Sequence, residues 1–347
     1  MTLRSMLMVA ATALLAGCGG ASPAPPATSA STQPLTPATI KVSLPGLATA
    51  FSQSDIAVAQ ANGLFSEQQL TVQTQGLASG VQTVQSVVAG DSDVGAASIE
   101  PVLAAAAQGS LTIIGSYADR LPVVMETPST ITKPADLKGK QLGIQSVGAF
   151  REIMTRFIYQ GAGLTQSDVR YVPVADTGYI GALLAGRIDS AILQQEQSID
   201  AEQRNPSLHV LVDLEKTLPN YFYGTYFVKS DWLQGHQEVA MRFLTAITKA
   251  HRLIYGNRAR VVPQIATATG FSTAVIDTAY DRLIVKDGVF AVNEGLEAKR
   301  LQYTVGKMQS EGLLPAGPPD LTRVVDRAPI HRVVQNLGTM TGDPRWH

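Results

Sequence analysis

Cysteine and charge are both scarce in this sequence. Cys18 is the only cysteine among 347 residues, so the chain can form neither an intramolecular disulfide nor a metal site that shares several thiolates. Charged residues make up 16% of the chain, and the formal net charge is -1. A surface that binds nucleic acid needs a stripe of basic residues, and we therefore expect no nucleic-acid partner.

Motifs for catalysis and metal binding are also missing. The run Gly143–Gly148 is one residue too long for a Gly-x-Ser-x-Gly nucleophile elbow, and no Walker phosphate loop occurs. Asp91 and Asp93 match only a fragment of a calcium loop, so we predict a turn there. The histidines lack metal-ligand spacing: His209, His236, His251, His331 and His347. The sequence thus predicts no metal, no cofactor and no enzymatic activity.

The N-terminus has the features of a secretory signal. Arg4 supplies a positive charge, and residues 6–15 are apolar with small side chains among them. This run is shorter than the ~20 apolar residues that a membrane-spanning helix needs. Because small residues precede a plausible cleavage point, we predict a signal peptide over residues 1–17.

Residues 15–18, Leu-Ala-Gly-Cys, resemble the lipobox of bacterial lipoproteins. The resemblance implies that the signal is cut before Cys18 and that the sulfur of Cys18 is diacylated. Several acyl chains hold a protein firmly on a bilayer, whereas a single chain binds only marginally. We therefore expect localisation at the cell membrane, with the lipid anchor at Cys18 on the extracytoplasmic face. The alternative is a small buried thiol within the signal.

A flexible tether is predicted after the lipid site. Residues 18–38 contain no charge and are rich in Gly, Ala, Ser, Thr and Pro, and the prolines oppose a helix. The rest of the chain suits two lobes better than a single core. No later run approaches the length of a membrane span. We therefore expect a soluble globular body that the flexible tether joins to the membrane anchor.

Strands and helices alternate along this body. Residues 40–44 and 70–73 predict strands, and residues 54–62 between them predict a helix that ends at Gly63. The same alternation restarts near residue 134. It predicts an α/β fold in which each lobe has a mostly parallel sheet flanked by helices.

One short pattern occurs in both halves. Residues 89–94 and 185–190 share Ala-Gly-x-x-Asp, and each closes an amphipathic helix and opens a short strand. Glycine supplies the left-handed backbone that ends the helix, and the aspartate can bind backbone N–H groups of the turn. Polar segments follow both strands, at residues 98–100 and 194–196. Since ligands of open α/β sheets lie beyond the carboxyl ends of strands, we predict a binding cleft between the lobes.

A wider set of segments resembles a known family. Residues 56–65 resemble the "VA-x-x-x-G-F-F" opening of the sulfonate, nitrate, taurine and thiamine-precursor binding proteins of ABC importers, the NMT1/THI5-like and SsuA-like family. Residues 88–95 are also similar to that family. Residues 135–144 look like its "DLKGKK" entry to the second lobe, and residues 185–191 follow in the family's order.

The resemblance implies a two-lobed periplasmic-binding-protein fold, type II-like, with a hinge. We place lobe 1 at residues 39–126 and 226–347, and lobe 2 at residues 127–225. The family also implies its partners: a small-molecule ligand, an ABC permease and the ATPase of that permease, while the acylated Cys18 contacts the lipid bilayer. We expect a monomer.

Two departures from the family narrow the choice. Residues 44–47, Leu-Pro-Gly-Leu, stand where thiamine-precursor binders carry a Trp-Pro-Asn-like motif, which weakens a pyrimidine assignment. The cysteine-rich segment of the pyrimidine synthase branch is absent, which argues against that enzyme on the same fold. A sensor lobe that reports ligand to a membrane partner is a third interpretation.

A small-residue loop is the first predicted ligand contact. Residues 143–151 predict a strand, a loop and a helix start, where exposed backbone N–H groups favour oxygen-rich or anionic groups. The family resemblance implies that this loop touches the ligand at Ser146, Gly148 and Ala149. Arg151 could pair with a carboxylate, sulfonate or phosphate; the alternative is an exposed arginine in the first helical turn.

Aromatic and polar residues near strand ends complete the predicted site. Aromatic residues are only 6% of the chain, yet five lie within residues 221–227. Aromatic rings stack on flat heterocycles, although a strand that packs its rings into the core explains Phe222 and Phe227 equally well. The further candidate ligand contacts are Ser98, Glu100, Tyr117, Tyr179, Gln195, Glu196 and Tyr223.

These residues leave the ligand open. A flat vitamin-type ring system such as riboflavin is our first expectation, and an aliphatic sulfonate, taurine or nitrate-type anion is the second. Glu100 and Glu196 could form an acid/base pair across the cleft, but a ligand hydrogen bond or a hinge contact is the simpler role for each.

Overall fold

A computed structural model describes residues 35–46, 50–106, 109–314 and 320–347. The predicted signal peptide, Cys18 and most of the predicted tether lie outside the described residues. Ala38, the last residue of the predicted tether, opens the first strand. The chain from Thr36 to His347 forms one compact unit.

Ten strands and fourteen helices build this unit within the described residues. The strands are β1 (Ala38–Pro45), β2 (Leu70–Leu77), β3 (Val94–Ser98), β4 (Leu111–Ala118), β5 (Val123–Pro128), β6 (Gln141–Ile144), β7 (Arg170–Pro173), β8 (Ser190–Gln194), β9 (Leu208–Asp213) and β10 (Gly224–Lys229). The helices are α1 (Asp55–Ala61), α2 (Leu64–Glu67), α3 (Gly80–Ala89), α4 (Ile99–Ala106), α5 (Phe150–Gly161), α6 (Tyr179–Leu184), α7 (Gln195–Arg204), α8 (Leu214–Thr217), α9 (Ser230–Gly256), α10 (Arg258–Thr269), α11 (Thr273–Tyr280), α12 (Ala298–Ser310), α13 (Leu321–Val324) and α14 (Ala328–Leu337).

The first sheet has the strand order β2-β1-β3-β10-β4. β1 runs parallel to β2, from Ala38 opposite Leu70 to Pro45 opposite Leu77, and parallel to β3. β10 alone is antiparallel to its neighbours β3 and β4. β3 and β4 are buried along their whole length, which is why both read as nearly continuous runs of apolar and small residues.

The second sheet repeats this design, with the order β7-β6-β8-β5-β9. β6 is parallel to β7 and β8, and β5 is antiparallel to β8 and β9. The reversed strand of each sheet is therefore the one that arrives from the other lobe. These two sheets flanked by helices confirm the predicted two-lobed α/β fold.

β5 and β10 each enter a sheet from the other lobe, and the lobe boundaries therefore differ from the predicted positions. The predicted boundary at 126/127 falls inside β5, and the one at 225/226 falls inside β10. The chain thus crosses between the sheets over residues 119–122 and again over residues 218–223. Sequence pattern could not locate these crossings, because β5 and β10 are as apolar as the strands beside them.

The Ala-Gly-x-x-Asp repeat has the same structure in both lobes. Gly90 and Gly186 adopt left-handed φ values of 83° and 64° at the ends of their helices. The Oδ2 atom of Asp93 accepts the backbone N–H of Lys41 at 2.8 Å. Asp189 does the same for Gln141, also at 2.8 Å. Each aspartate thus ties the start of its short strand to the parallel strand beside it, β1 in the first sheet and β6 in the second.

Longer helices cover the first sheet. α9 packs against α1, α2 and α14. Between α11 and α12, residues Asp281–Asp287 form a π-helical segment. In the part of the chain that is described, no helix combines the length and apolar character needed to cross a membrane.

Candidate functional site

A cavity of about 180 Å³ lies between the two lobes. Residues from both sheets, and from the helices that follow their strands, enclose it. The lining residues are Pro45, Ala50, Gln53, Gly80, Ser98, Tyr117, Gln145, Phe150, Arg151, Thr177, Tyr179, Ile180, Gln194, Glu196, Gln197, Tyr223, Thr269 and Phe271. Its polar lining consists mainly of amide and hydroxyl groups rather than charges.

The N-terminal ends of four helices meet at this cavity. Gly80 is the first residue of α3, and Ser98 directly precedes α4. Phe150 opens α5, and Glu196 lies in the first turn of α7. A helix N-terminus presents unpaired N–H groups and the positive end of its dipole, so this arrangement suits an oxygen-rich or anionic ligand.

The lobes are hydrogen-bonded to each other at the cavity. The backbone N–H of Phe51 in lobe 1 donates to Oε1 of Glu196 in lobe 2 at 3.0 Å. The side chain of Gln194 accepts the hydroxyl of Ser52 at 3.4 Å and donates to the hydroxyl of Tyr223 at 3.2 Å. These bonds exist only while the lobes are together, so the structure shows a closed cleft.

Three aromatic rings form one wall of the cavity. The ring of Tyr223 lies edge-on to Tyr117, with centroids 5.6 Å apart, and tilted against Phe150 at 4.8 Å. Tyr117 belongs to the first lobe, Tyr223 to the crossing that leads back into it, and Phe150 to the second lobe. Burial raises the pKa of both tyrosine hydroxyls, so both stay protonated at neutral pH and can donate hydrogen bonds.

Arg151 is the cationic side chain of the lining. Its guanidinium donates to the carbonyl of Ile192 and to Oε1 of Gln197, the latter at 3.2 Å, and lies 4.4 Å from the centroid of the Tyr179 ring. The residue is only 4% exposed, so it is not the exposed first-turn arginine of the alternative interpretation. These protein contacts hold the guanidinium in place beside the cavity.

Glu196 is the acidic side chain of the lining. Burial raises its pKa, and the bond from the Phe51 N–H and the charge of Arg151 offset this only in part. Its Oε1 atom binds the Phe51 N–H, whereas its buried Oε2 atom makes no hydrogen bond within the described part of the chain.

Six of the predicted ligand contacts line the cavity: Ser98, Tyr117, Arg151, Tyr179, Glu196 and Tyr223. Whether they bind a ligand stays a prediction. Of the predicted aromatic cluster, Tyr223 lines the cavity. Phe222 and Phe227 are instead fully buried in the core. Tyr226 is also buried there, with its hydroxyl bound to Asp55 at 2.7 Å.

Five predicted contacts lie outside the cavity lining. Glu100 accepts the Tyr221 hydroxyl at 2.7 Å, and burial raises its pKa to about 7. Glu100 and Gly148 instead border a separate apolar groove of about 590 Å³. Gln195 accepts a bond from Arg282 at 3.1 Å.

The two remaining contacts belong to the predicted loop. Ser146 is exposed and Ala149 is buried, and the loop reaches the cavity through Gln145 and Phe150. The N–H of Gly148 points the other way, to Oε2 of Glu152 at 3.0 Å. A turn rotates successive residues to different sides, so the resemblance located the loop but not the residues that face the cavity.

Several lining residues were not predicted as ligand contacts. Gln194 is the last residue of β8 and opens the polar segment 194–196, so its position at a strand end was a usable signal. Gly80 follows Ser79, whose hydroxyl accepts the N–H of Gln82 as a helix N-cap. Thr269 ends α10 and Phe271 follows that helix, and no local pattern in the sequence connects them to the cleft.

Comparison with known proteins identifies the family. The family model described as NMT1/THI5 like matches residues 51–259, more than half of the chain. The chain belongs to the NMT1/THI5-like family. This confirms the family expected from the sequence motifs, and the matched segment contains most of the cavity lining. No curated protein matches the chain in sequence.

Solved structures share the fold of this family member at low sequence identity. The alkanesulfonate-binding protein SsuA from Xanthomonas axonopodis pv. citri, bound to MOPS, has a TM-score of 0.69 at 19% identity, covering 84% of this chain and 98% of its own. The nitrate-binding protein NrtA from Synechocystis PCC 6803 gives 0.71 at 11%, covering 87% and 89%. A ligand-binding component of an ABC-type import system from Staphylococcus aureus, with zinc bound, gives 0.71 at 12%, covering 85% and 98%.

Metal-ligating side chains do not cluster in the described part of the chain. Among the described residues, no group of three or more His, Cys, Asp or Glu side chains could hold a metal ion.

Proposed function

We propose that this NMT1/THI5-like protein is the solute-binding component of an ABC importer. It captures a small molecule between its two lobes and delivers it to the permease. The observation that carries this proposal is the polar cavity that closes between the two sheets, with hydrogen bonds from Phe51 and Ser52 of one lobe to Glu196 and Gln194 of the other. Structural neighbours named as sulfonate-binding, nitrate-binding and ABC-import components support it.

The size and lining of the cavity favour a small oxyanion as the ligand. Its volume of about 180 Å³ is close to the ~150 Å³ cavity that holds one benzene molecule. Riboflavin, with three fused rings and a ribityl chain, is larger than this space. The convergent helix N-termini and Arg151 supply N–H donors and positive potential. We therefore now favour a sulfonate or another small oxyacid over the flat vitamin expected first.

A single-ring planar ligand is the second candidate. The rings of Tyr117, Phe150 and Tyr223 form a wall against which one ring could stack, and the volume accommodates one ring. A pyrimidine precursor of thiamine has this size. An aromatic oxyacid would use both features of the cavity.

We propose binding without chemical conversion. Among the described lining residues the carboxyl group of Glu196 is the only acidic one, and no histidine, lysine or cysteine accompanies it. An enzyme that uses nucleophilic catalysis needs a nucleophile and a general base within hydrogen-bond reach of one another.

A ligand screen tests the binding proposal. Purified mature protein is heated with alkanesulfonates, benzenesulfonate, nitrate, the thiamine pyrimidine and riboflavin, and we expect an oxyanion to raise the melting temperature. Small-angle scattering should then show compaction at saturation, because the ligand stabilises the closed form.

A matched pair of tyrosine variants localises the binding. Tyr223→Ala should weaken binding, whereas Tyr303→Ala, at a tyrosine that is 38% exposed on α12, should not. Unchanged scattering at saturation, or equal affinity in both variants, would contradict binding in the cleft.

We also propose that Cys18 carries the lipid anchor on the extracytoplasmic face of the cell membrane. Metabolic labelling with palmitate should mark the wild-type protein but not Cys18→Ser. In the double variant Cys18→Ser, Ser22→Cys, the cysteine no longer follows Leu-Ala-Gly, and we expect labelling to stay absent. Label in either variant would refute the lipobox.

A further inference from the structure

We propose that Glu196 takes up a proton when the cavity binds an oxyanion, and that its Oε2 then donates a hydrogen bond to that anion. This inference rests on the proposed oxyanion ligand and adds a specific role for one carboxyl group. It makes the affinity of the cleft depend on pH.

The position of Glu196 gives its two oxygen atoms different roles. Oε1 accepts the Phe51 N–H from the opposite lobe at 3.0 Å, which fixes the carboxyl group while the cleft is closed. Oε2 is buried and makes no hydrogen bond to a described residue. Because a buried oxygen without a partner costs free energy and this side chain lines the cavity, a bound molecule is the natural partner of Oε2.

The charges around the cavity determine the protonation state. Among the described lining residues, Arg151 contributes one positive charge and ionised Glu196 one negative charge, and the other side chains are neutral. An oxyanion would therefore meet a carboxylate without a compensating second cation. Protonation of Oε2 removes this repulsion and converts the acceptor into a donor.

The other described groups that line the cavity do not titrate near neutral pH, whereas Glu100, outside the lining, has its pKa raised to about 7 by burial and interacts with Tyr117 and Tyr223. Arg151 of α5 is a guanidinium that stays charged. Tyr117 of β4 and Tyr223 before β10 have pKa values raised by burial. Gln53, Gln194 and Gln197 do not ionise. Arg282 reaches the neighbouring Gln195 rather than Glu196. Burial also raises the pKa of Glu196 itself, which supports its role as the proton acceptor.

Calorimetry with benzenesulfonate as the probe tests the proposal. From about pH 5.5 to about pH 8, the Kd of the wild-type protein should rise by up to about tenfold per pH unit once Glu196 is ionised in the free protein. Titrations in buffers of different ionisation enthalpy should show uptake of up to about one proton per ligand in that range.

Two glutamine variants on the same helix separate Glu196 from general effects. In Glu196→Gln the side-chain amide donates at every pH, so the dependence of Kd on pH should disappear while binding at low pH is kept. Glu202→Gln, on α7 and outside the lining, should keep the wild-type dependence. The proton uptake of the wild-type protein supplies a readout that does not require Glu196→Gln to fold.

Three outcomes would overturn the proposal. They are a flat Kd of the wild-type protein without proton uptake, an unchanged pH dependence in Glu196→Gln, and no binding of benzenesulfonate, methanesulfonate or nitrate even at about pH 5.5. In the last case, cleft closure by a neutral compound of the screen would leave the solute-binding function in place. Absence of any ligand that closes the cleft would instead refute that function.

Discussion

The imidazole Nε2 of His347 lies 3.1 Å from Oδ2 of Asp119. Asp119 is fully buried at the point where the chain leaves β4 for the second sheet. Burial opposes the charged form of both groups, but their mutual attraction outweighs it. As a result the pKa of Asp119 is lowered and that of His347 is raised. The pair thus ties the segment that ends at His347 to one of the two crossings between the lobes.

This ion pair should make stability depend on pH in a defined window. The raised pKa of His347 means that its contribution is complete below the ordinary value of 6.5 and is lost as pH rises through the raised value. The lowered pKa of Asp119 means that its contribution is present above 3.8 and is lost in stronger acid. We expect His347→Gln to lower the free energy of unfolding by about 1–2 kcal/mol near pH 5.5 and by less above pH 8.

Urea denaturation across this pH range measures the effect. His236→Gln is the matched control, because His236 is exposed on α9 and should change the free energy of unfolding little at any pH. An equal loss for His347→Gln at acid and alkaline pH would argue against an ionic contribution.

Gln194 should control how readily the lobes close. Its side chain accepts from Ser52 and donates to Tyr223 only in the closed form. Gln194→Ala removes both bonds, and at about 1 kcal/mol or less for each the closed form should lose stability. We expect roughly 5–10-fold weaker binding of the ligand found in the screen, with less compaction in scattering.

The exposed Gln203 on α7, the helix that follows Gln194, supplies the control for Gln194. Gln203→Ala should bind like the wild-type protein. If Gln194→Ala bound equally well and compacted equally, the bonds between the lobes would not contribute to closure.

The sequence predicts the parts of the fold that depend on local pattern. The Ala-Gly-x-x-Asp repeat identified two sheets of one design, because Asp93 and Asp189 bind the parallel neighbouring strands β1 and β6. The exchange of β5 and β10 between the lobes was not predictable. The residue pattern of an apolar strand does not show in which direction the strand runs or with which strands it pairs. Within the candidate site, Ser98 and Glu196 were predicted because they belong to the polar segments at the ends of two strands.

Other parts of the site depend on contacts that are distant in sequence. Glu100 was included although the first turn of α4 directs it toward Tyr221 and away from the cavity. Thr269 and Phe271 reach the cavity only because α10 and α11 pack over the first lobe beside α7. Neither fact follows from the residues next to them in the chain.

Gly95 should be intolerant of a side chain. In β3 it pairs with Phe227 of β10, and a Cβ atom at this position would lie 2.3 Å from Cζ of that ring. Gly95→Ala should lower the free energy of unfolding by about 1–3 kcal/mol. Gly95→Ala combined with Phe227→Leu should lose less than the sum of the two single changes, because the smaller side chain relieves the overlap.

Gly181 has open surroundings, and it should therefore tolerate a side chain. Gly181 lies within α6, and an added Cβ would meet nothing within 4 Å. Gly181→Ala should therefore raise the free energy of unfolding by up to about 1 kcal/mol. A loss at Gly181 equal to that at Gly95 would show that glycine replacement, and not the Phe227 ring, causes the effect.

Asp55 joins three elements of the first lobe in one buried network. Its Oδ2 atom accepts the hydroxyl of Tyr226 at 2.7 Å and lies 2.9 Å from Nε2 of His251. The other ring nitrogen of His251 lies 2.7 Å from the carbonyl of Ala291. Since a carbonyl only accepts, that nitrogen carries a hydrogen, and the network connects α1, β10, α9 and the chain after the π-helical segment.

Removal of the Asp55 carboxylate should be the most costly of these substitutions. Asp55→Ala leaves the Tyr226 hydroxyl and the His251 imidazole buried without their acceptor, so we expect a loss of about 3–5 kcal/mol in the free energy of unfolding. Asp55→Asn keeps one acceptor oxygen and should lose less. Asp91→Asn, at an exposed carboxylate of the first repeat, should change stability by under about 0.5 kcal/mol. Equal midpoints of urea denaturation for Asp55→Ala and Asp91→Asn would mean that the network is dispensable, because the two variants differ in burial and hydrogen bonding.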